Sequence, residues 1–213
     1  PVVAIVGYTN AGKSTLLNTL TDAGILEEDQ LFATLDPTTR NLKLPSGQEI
    51  LLTDTVGFIR KLPHHLIEAF RSTLEEAKYA DIILHVVDAS NPQMDEQMFV
   101  VYETLQRLEV MNKPVITAFN KMDRVGEAIT VRDFQADKIV QISAKSGENL
   151  EQLFDAIEEI LREEKIHIER VFPYSESGKV QLILKYGELL KEEFEEDGVH
   201  VEAYVPQEIY GRL

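Results

Sequence analysis

Three short apolar runs, residues 2–6, 82–87 and 115–119, are separated by stretches whose apolar positions return every three or four residues. Runs of that length, apolar at nearly every position, match strands buried on both faces of a parallel sheet. The segments 13–22, 65–79 and 95–109 have helical spacing, and in the last of them Met98, Val101, Leu105 and Leu108 line one face. Residues 41–44 and 49–53 flank Pro45-Ser46-Gly47, a turn signal that predicts a hairpin and with it one antiparallel edge. A strand at 139–142 and an amphipathic helix at 150–161 complete the alternation. The pattern predicts an α/β fold with a mostly parallel, doubly wound sheet.

Beyond residue 165 the rhythm changes. A strand at 166–172 is followed by a short helix at 179–186, then by runs 189–195 and 199–205 on either side of Glu196-Asp197-Gly198. Asp-Gly between two alternating runs is a strong hairpin signal. The expectation is a first domain over residues 1–166 and a small α+β (β-α-β-β) domain over 167–213.

With 213 residues, 44% of them hydrophobic, the chain has enough apolar surface for a full-sized core. It has no cysteine, which excludes disulfides and thiolate metal sites and suits a reducing cytoplasm. No run approaches the roughly 18 apolar residues of a membrane span, so no direct membrane contact is expected. The net charge of −16 changes the picture more, because an acidic surface repels phosphate backbones. The chain opens on Pro1 and runs straight into a core strand, which reads as a piece of a longer protein.

The chemistry lies at the ends of the predicted strands. Gly7-Tyr8-Thr9-Asn10-Ala11-Gly12-Lys13-Ser14, followed by Thr15, matches G-x-x-x-x-G-K-[ST] between a strand and a helix. Its glycines let backbone N–H groups face phosphates, Lys13 reaches the β- and γ-phosphates, and the Ser14 hydroxyl ligates Mg²⁺. Asp54-Thr55-Val56-Gly57 ends the strand 49–53. There a carboxylate holds Mg²⁺ through water, and the Gly57 N–H approaches the γ-phosphate. Asn120-Lys121-Met122-Asp123 ends the strand 115–119 and resembles the guanine-reading N-K-x-D element, in which the aspartate accepts from guanine N1 and N2. Adenine offers no such donor pair and would leave a carboxylate unpaired. Ser143-Ala144-Lys145 resembles the loop whose backbone N–H meets guanine O6. Between the first helix and the hairpin lie Phe32, Ala33, Thr34, Leu35, Asp36, Pro37 and Thr38. A threonine here closes onto Mg²⁺ and the γ-phosphate. The phrase F-A-T-L resembles the F-T-T-L element of Obg-type GTPases, which favours Thr34, with Thr38 as the alternative. Together these motifs predict a P-loop GTPase whose ligands are GTP and GDP.

These phrases, with Thr15-Leu16, Phe58-Ile59, Leu62-Pro63-His64, Ala69-Phe70, Phe172-Pro173-Tyr174 and the ending Ile209-Tyr210-Gly211-Arg212-Leu213, resemble the HflX family over essentially the whole chain. The resemblance implies a monomeric, ribosome-associated GTPase that acts on the large (50S) subunit and the 70S particle and splits or rescues ribosomes under stress. It also implies an N-terminal domain and helical linker ahead of this chain, through which ribosomal RNA would mainly be met.

One catalytic part is missing from the expected place. Ras-like enzymes orient the attacking water with a glutamine just after D-x-x-G; here that place holds Phe58, then Ile59. Lys13, Thr34 and Gly57 are the remaining catalytic candidates, and intrinsic hydrolysis is expected to be slow and ribosome-stimulated. Asn10 leaves two readings open: a ligand for K⁺ beside the phosphates, or a residue that only braces its loop. His64 and His65 read as surface or helix-start residues, and His85 as a packed core histidine. The acidic stretch 158–164 reads as a solvated helix face. The functional alternative is a nucleotide-gated docking switch in which hydrolysis serves only release. A trafficking GTPase is disfavoured, since no cysteine is present to carry a lipid.

Overall fold

A computed structural model describes residues 1–21, 38–55, 57–58, 77–126 and 130–213. The predicted helix 65–79 therefore lies outside the described residues except for 77–79, which are helical. In chain order the elements are β1 (Val2–Gly7), α1 (Lys13–Thr21), β2 (Thr38–Lys43), β3 (Glu49–Asp54), β4 (Ile82–Asp88), α2 (Met94–Arg107), β5 (Val115–Asn120), β6 (Lys138–Gln141) and α3 (Leu150–Glu163). Then follow β7 (Ile166–Phe172), α4 (Ser177–Tyr186), β8 (Glu188–Glu195), β9 (Gly198–Val205) and α5 (Gln207–Tyr210).

The first six strands form one sheet in the order β2-β3-β1-β4-β5-β6. β1 pairs in parallel with β3 and β4, β4 with β5, and β5 with β6. The hairpin turn at Pro45-Ser46-Gly47 is closed by Leu44 N–H donating to Gln48 O and Gly47 N–H donating to Leu44 O. β2 is consequently the antiparallel edge, and the sheet is otherwise parallel. β2 begins at Thr38, ahead of the predicted 41–44, because β-branched Thr38 and Thr39 suit a pleated edge and the Thr39 and Thr53 hydroxyls meet at 3.0 Å. Below the strands, Ala4, Val6, Ile83, Val87, Val115 and Phe119 pack with Met98, Val101, Tyr102 and Leu105 of α2 and with Phe58. β1 and β5, which feed the phosphate-loop and N-K-x-D motifs, are thus anchored in a dry core, and in open parallel sheets ligand crevices form outside the strands' C-terminal ends.

Compact packing divides the chain into two units: Pro1–Leu42 with Leu51–Ala156, and Lys43–Ile50 with Ile157–Leu213. In the second unit β7, β9 and β8 form an antiparallel sheet with β9 central. Alternate residues Val199, Val201, Ala203 and Val205 of β9 bury against Val180 and Ile183 of α4. The Asp197-Gly198 signal lies at the β8–β9 hairpin, where Glu195 pairs with Gly198. In the acidic stretch 158–164, Glu159, Glu163 and Glu164 are exposed as expected, while half-buried Glu158 accepts a bond from Ser46 N–H at 3.0 Å. Among the described residues no helix is long and apolar enough to cross a membrane.

Candidate nucleotide site

β1 delivers the chain into a tight loop and then into α1. The first helical bond of α1 is Leu16 N–H to Gly12 O, 2.9 Å. The N–H groups ahead of it have no intrahelical acceptor and form a ready anion site. Three glycines of the site are required by contact, and at Gly7 a Cβ would lie 2.4 Å from Val86 O. Gly12 has φ +100°, and a Cβ there would lie 2.3 Å from Asn120 Nδ2. At Gly57 a Cβ would lie 2.8 Å from Thr9 Cα and 3.2 Å from Lys13 Nζ. Lys13 is buried, its Nζ 3.4 Å from Tyr8 O. Burial lowers its pKa from the ordinary lysine value, and the nearby Asp54 carboxylate opposes that shift.

The D-x-x-G segment is strapped directly onto this loop. Thr9 N–H donates to Phe58 O at 2.8 Å, and Phe58 N–H donates to Gly7 O at 2.9 Å. Thr55 Oγ1 donates to Ile5 O at 2.7 Å, which holds the end of β3 against β1. Ser14 Oγ donates to Asp54 Oδ2 at 2.9 Å, so the hydroxyl and carboxylate assigned to Mg²⁺ do meet. Two adjacent oxygen donors, one of them anionic, are the donor set a hard divalent cation takes, and the residues present fit Mg²⁺. Phe58 is fully buried in the core, where its ring can orient no water.

Asn120 joins the remaining loops. Its Nδ2 donates to Ala11 O at 2.9 Å, and its Oδ1 accepts from Ala144 N–H at 2.8 Å. One buried amide therefore fastens the phosphate loop, N-K-x-D and S-A-K together. Lys121 stands in the left-handed region with φ 63°, and its Nζ donates to Asn10 O at 2.7 Å. Ser143 Oγ donates to Asp123 Oδ1 at 2.8 Å, and Met122 N–H donates to Ile142 O at 3.2 Å. Thr19 of α1 donates from Oγ1 to Ala144 O at 2.8 Å, while Lys145 is exposed.

Phe32, Ala33, Thr34, Leu35, Asp36, Val56, Ile59, Leu62, Pro63, His64, His65, Ala69 and Phe70 lie outside the described residues. The alternative switch threonine, Thr38, opens β2 and is half-buried. His85 is buried in the core as expected, edge-on to Tyr102 with ring centroids 5.1 Å apart.

Three contributors were absent from the sequence reading: Asp88, the Ser143 hydroxyl acting on Asp123, and Thr19. For Asp88 a signal existed. It is the last residue of β4, one beyond the predicted run 82–87, and parallel sheets gather ligand-binding groups at strand C-termini.

A family model described as 50S ribosome-binding GTPase matches residues 2–121. Over all 213 residues the chain is 68% identical to a protein named GTPase HflX from Lacrimispora saccharolytica, covering 50% of that protein. It is 50% identical over 213 residues to GTPase HflX of Caldanaerobacter subterraneus subsp. tengcongensis, covering 49% of it. Among solved structures, a GTP-binding protein from Sulfolobus solfataricus in complex with GDP superposes with a TM-score of 0.63 at 30% identity, covering 76% of this chain and 53% of that one. The chain spans about half the length of the curated relatives it matches.

Proposed function

The chain belongs to the family of 50S ribosome-binding GTPases, and from that premise we propose that it binds GTP and GDP and hydrolyses GTP to GDP and phosphate with Mg²⁺. The observation that carries the reading is Asn120, whose two amide bonds hold the phosphate-binding and base-reading loops as one piece. Lys13 meets the β- and γ-phosphates, and the arriving negative charge offsets the burial that lowers its pKa. Gly57 N–H meets the γ-phosphate. Asp123, oriented by the Ser143 hydroxyl, accepts from guanine N1 and N2. Ser14, Thr34 (with Thr38 as the alternative) and, through water, Asp54 would hold Mg²⁺, which when bound would offset charge on the transferred phosphoryl group. The proposed GTP-binding set also includes Tyr8, Thr9, Asn10, Ala11, Thr15, Phe32, Ala33, Leu35, Asp36, Thr55, Val56, Lys121, Met122, Ala144 and Lys145.

Residues 1–166 act as the GTP-binding domain and 167–213 as a small C-terminal domain. In the longer protein the proposed partner is the large ribosomal subunit, in keeping with the family's description as 50S ribosome-binding GTPases, and with it the 70S particle. The output there is splitting or rescue of ribosomes under stress by a cytoplasmic monomer that meets rRNA mainly through the N-terminal half.

Nucleotide competition tests the core of this reading. GTP is expected to displace bound GDP and ATP to fail. Asp123→Asn is expected to weaken GDP on the order of a hundredfold, because a carbonyl and amide no longer match the two guanine donors. Equal displacement of GDP by ATP overturns the assignment.

A further inference from the structure

We propose that Asp88 is a positioning residue for purine binding, acting through Lys121. The inference rests on the reading of the N-K-x-D loop given above. In the β4–β5 register Asp88 lies directly beside Asn120, and Ala89 N–H donates to Asn120 O at 3.0 Å. The sheet, rather than a loop, therefore sets where the carboxylate stands. Its Oδ1 accepts from Ser90 N–H at 3.0 Å and from Ser90 Oγ at 2.6 Å. That local turn fixes the carboxylate plane and presents Oδ2 to Lys121 Nζ at 2.7 Å.

The lysine needs this partner. Its side chain is 20% exposed and that of Asp88 13%, so both charges are largely withdrawn from water, and the Asn10 carbonyl alone would leave the ammonium without a counter-charge. With Nζ pinned between Asn10 O and Asp88 Oδ2, and its Cα held by the left-handed turn, the lysine stem is stretched across the loop. A long side chain otherwise samples many rotamers, and each binding event would have to order it. Held in place, its methylenes form a flat apolar rail against which the face of a purine ring lies. The rail touches the ring's face and reads no edge atom, whereas Asp123 reads the edge.

That division of labour is testable in equilibrium titrations with fluorescently labelled and competing nucleotides. Asp88→Asn keeps an acceptor for Ser90 and removes the ion pair. It is expected to weaken GDP about tenfold, the effect of losing one well-ordered charged contact. The same factor is expected for IDP, which lacks the guanine 2-amino group, so the GDP-to-IDP ratio stays put. In a Lys121→Ala background, which itself binds GDP more weakly, Asp88→Asn is expected to add less than about a twofold loss. Ser90→Ala, which frees the carboxylate without removing its charge, is expected to weaken GDP in the same direction and covers the case in which Asp88→Asn fails to fold. Asp88→Asn within twofold of wild type, a full additional loss in the Lys121→Ala background, or a changed GDP-to-IDP ratio overturns the proposal while the N-K-x-D reading stands. Unchanged GDP affinity in Lys121→Ala alone overturns both.

Discussion

His85 illustrates how a single buried side chain writes itself into stability. It sits on β4 between β1 and β5, with its ring against Tyr102 and, among the described residues, no hydrogen-bond partner for Nδ1. Burial pushes its pKa down from 6.5 to about 4; Lys13 acts in the same direction and Asp133 opposes it. The folded pKa is below the unfolded one, so between those values the unfolded chain binds the proton and the folded chain does not. Stability is then full above about pH 6.5 and falls as pH drops toward 4. At pH 5 the loss is about 2 kcal/mol from this group alone. Urea unfolding at pH 7.5 and pH 5 is expected to give a gap smaller by that amount in His85→Leu; an unchanged gap refutes the assignment. The position was legible as a core histidine because its strand run is apolar on both sides. The motif residues were legible for a related reason: each set is contiguous in the chain. Thr19 and the Ser143–Asp123 bond were not, because their partners lie 125 and 20 residues away, and for Asp88 the strand-end position was legible but its pairing with Lys121, 33 residues on, was not.

Between elements, α2 is fastened to the sheet by more than its apolar stripe. Tyr102 OH donates to Asp133 Oδ2 at 2.5 Å, and Thr117 Oγ1 on β5 donates to the same oxygen at 2.6 Å. Asp133 Oδ1 accepts Gln135 N–H at 3.0 Å. Burial, reinforced by Asp133, raises the Tyr102 phenol above its ordinary pKa, so it stays a donor throughout the working range. Tyr102→Phe deletes one donor to a buried carboxylate and is expected to cost about 2 kcal/mol in chemical denaturation at pH 7, with an unchanged denaturant slope. A loss under about 0.5 kcal/mol means the carboxylate finds water instead. The helical spacing of Met98, Val101 and Leu105 revealed α2, but the tyrosine one position further on gave no hint of a polar anchor, since its partner comes from a loop. Helix and strand existence was readable from periodicity, whereas ends shifted by one to three residues wherever hydrogen bonds beyond the pattern chose them. β2 is the clearest case: it starts at Thr38 through a cross-strand hydroxyl pair that no single-strand pattern encodes.

For the molecule as a whole, the question is what limits hydrolysis. The straps from Phe58 to Gly7 and Thr9 hold the D-x-x-G loop on the phosphate loop, yet the same residue turns its ring into the core and offers nothing to an attacking water. In the proposed reaction, electrostatic support for the transition state would then fall to Lys13, to Mg²⁺ and to groups brought by a partner. Within the phosphate loop, backbone groups carry the internal bonds: Ala11 N–H donates to Tyr8 O, and Asn10 O accepts from Lys121. The Asn10 side chain is exposed, and its role as a ligand for K⁺ beside the phosphates is a proposal that the choice of salt tests. A charge of −16 makes naked RNA a poor activator, because phosphate repulsion grows as salt falls. Turnover by the isolated chain is accordingly expected near ~10⁻⁴ to 10⁻² s⁻¹, the range of unassisted GTPases. It is expected to be faster in KCl than in NaCl at matched ionic strength, and to rise when large ribosomal subunits are titrated in, more steeply for a chain that includes the N-terminal half. Several turnovers per second without a partner contradict the missing-water argument. Equal rates in the two salts remove the cation from Asn10, and a flat subunit titration with the longer chain removes the ribosome as the activator.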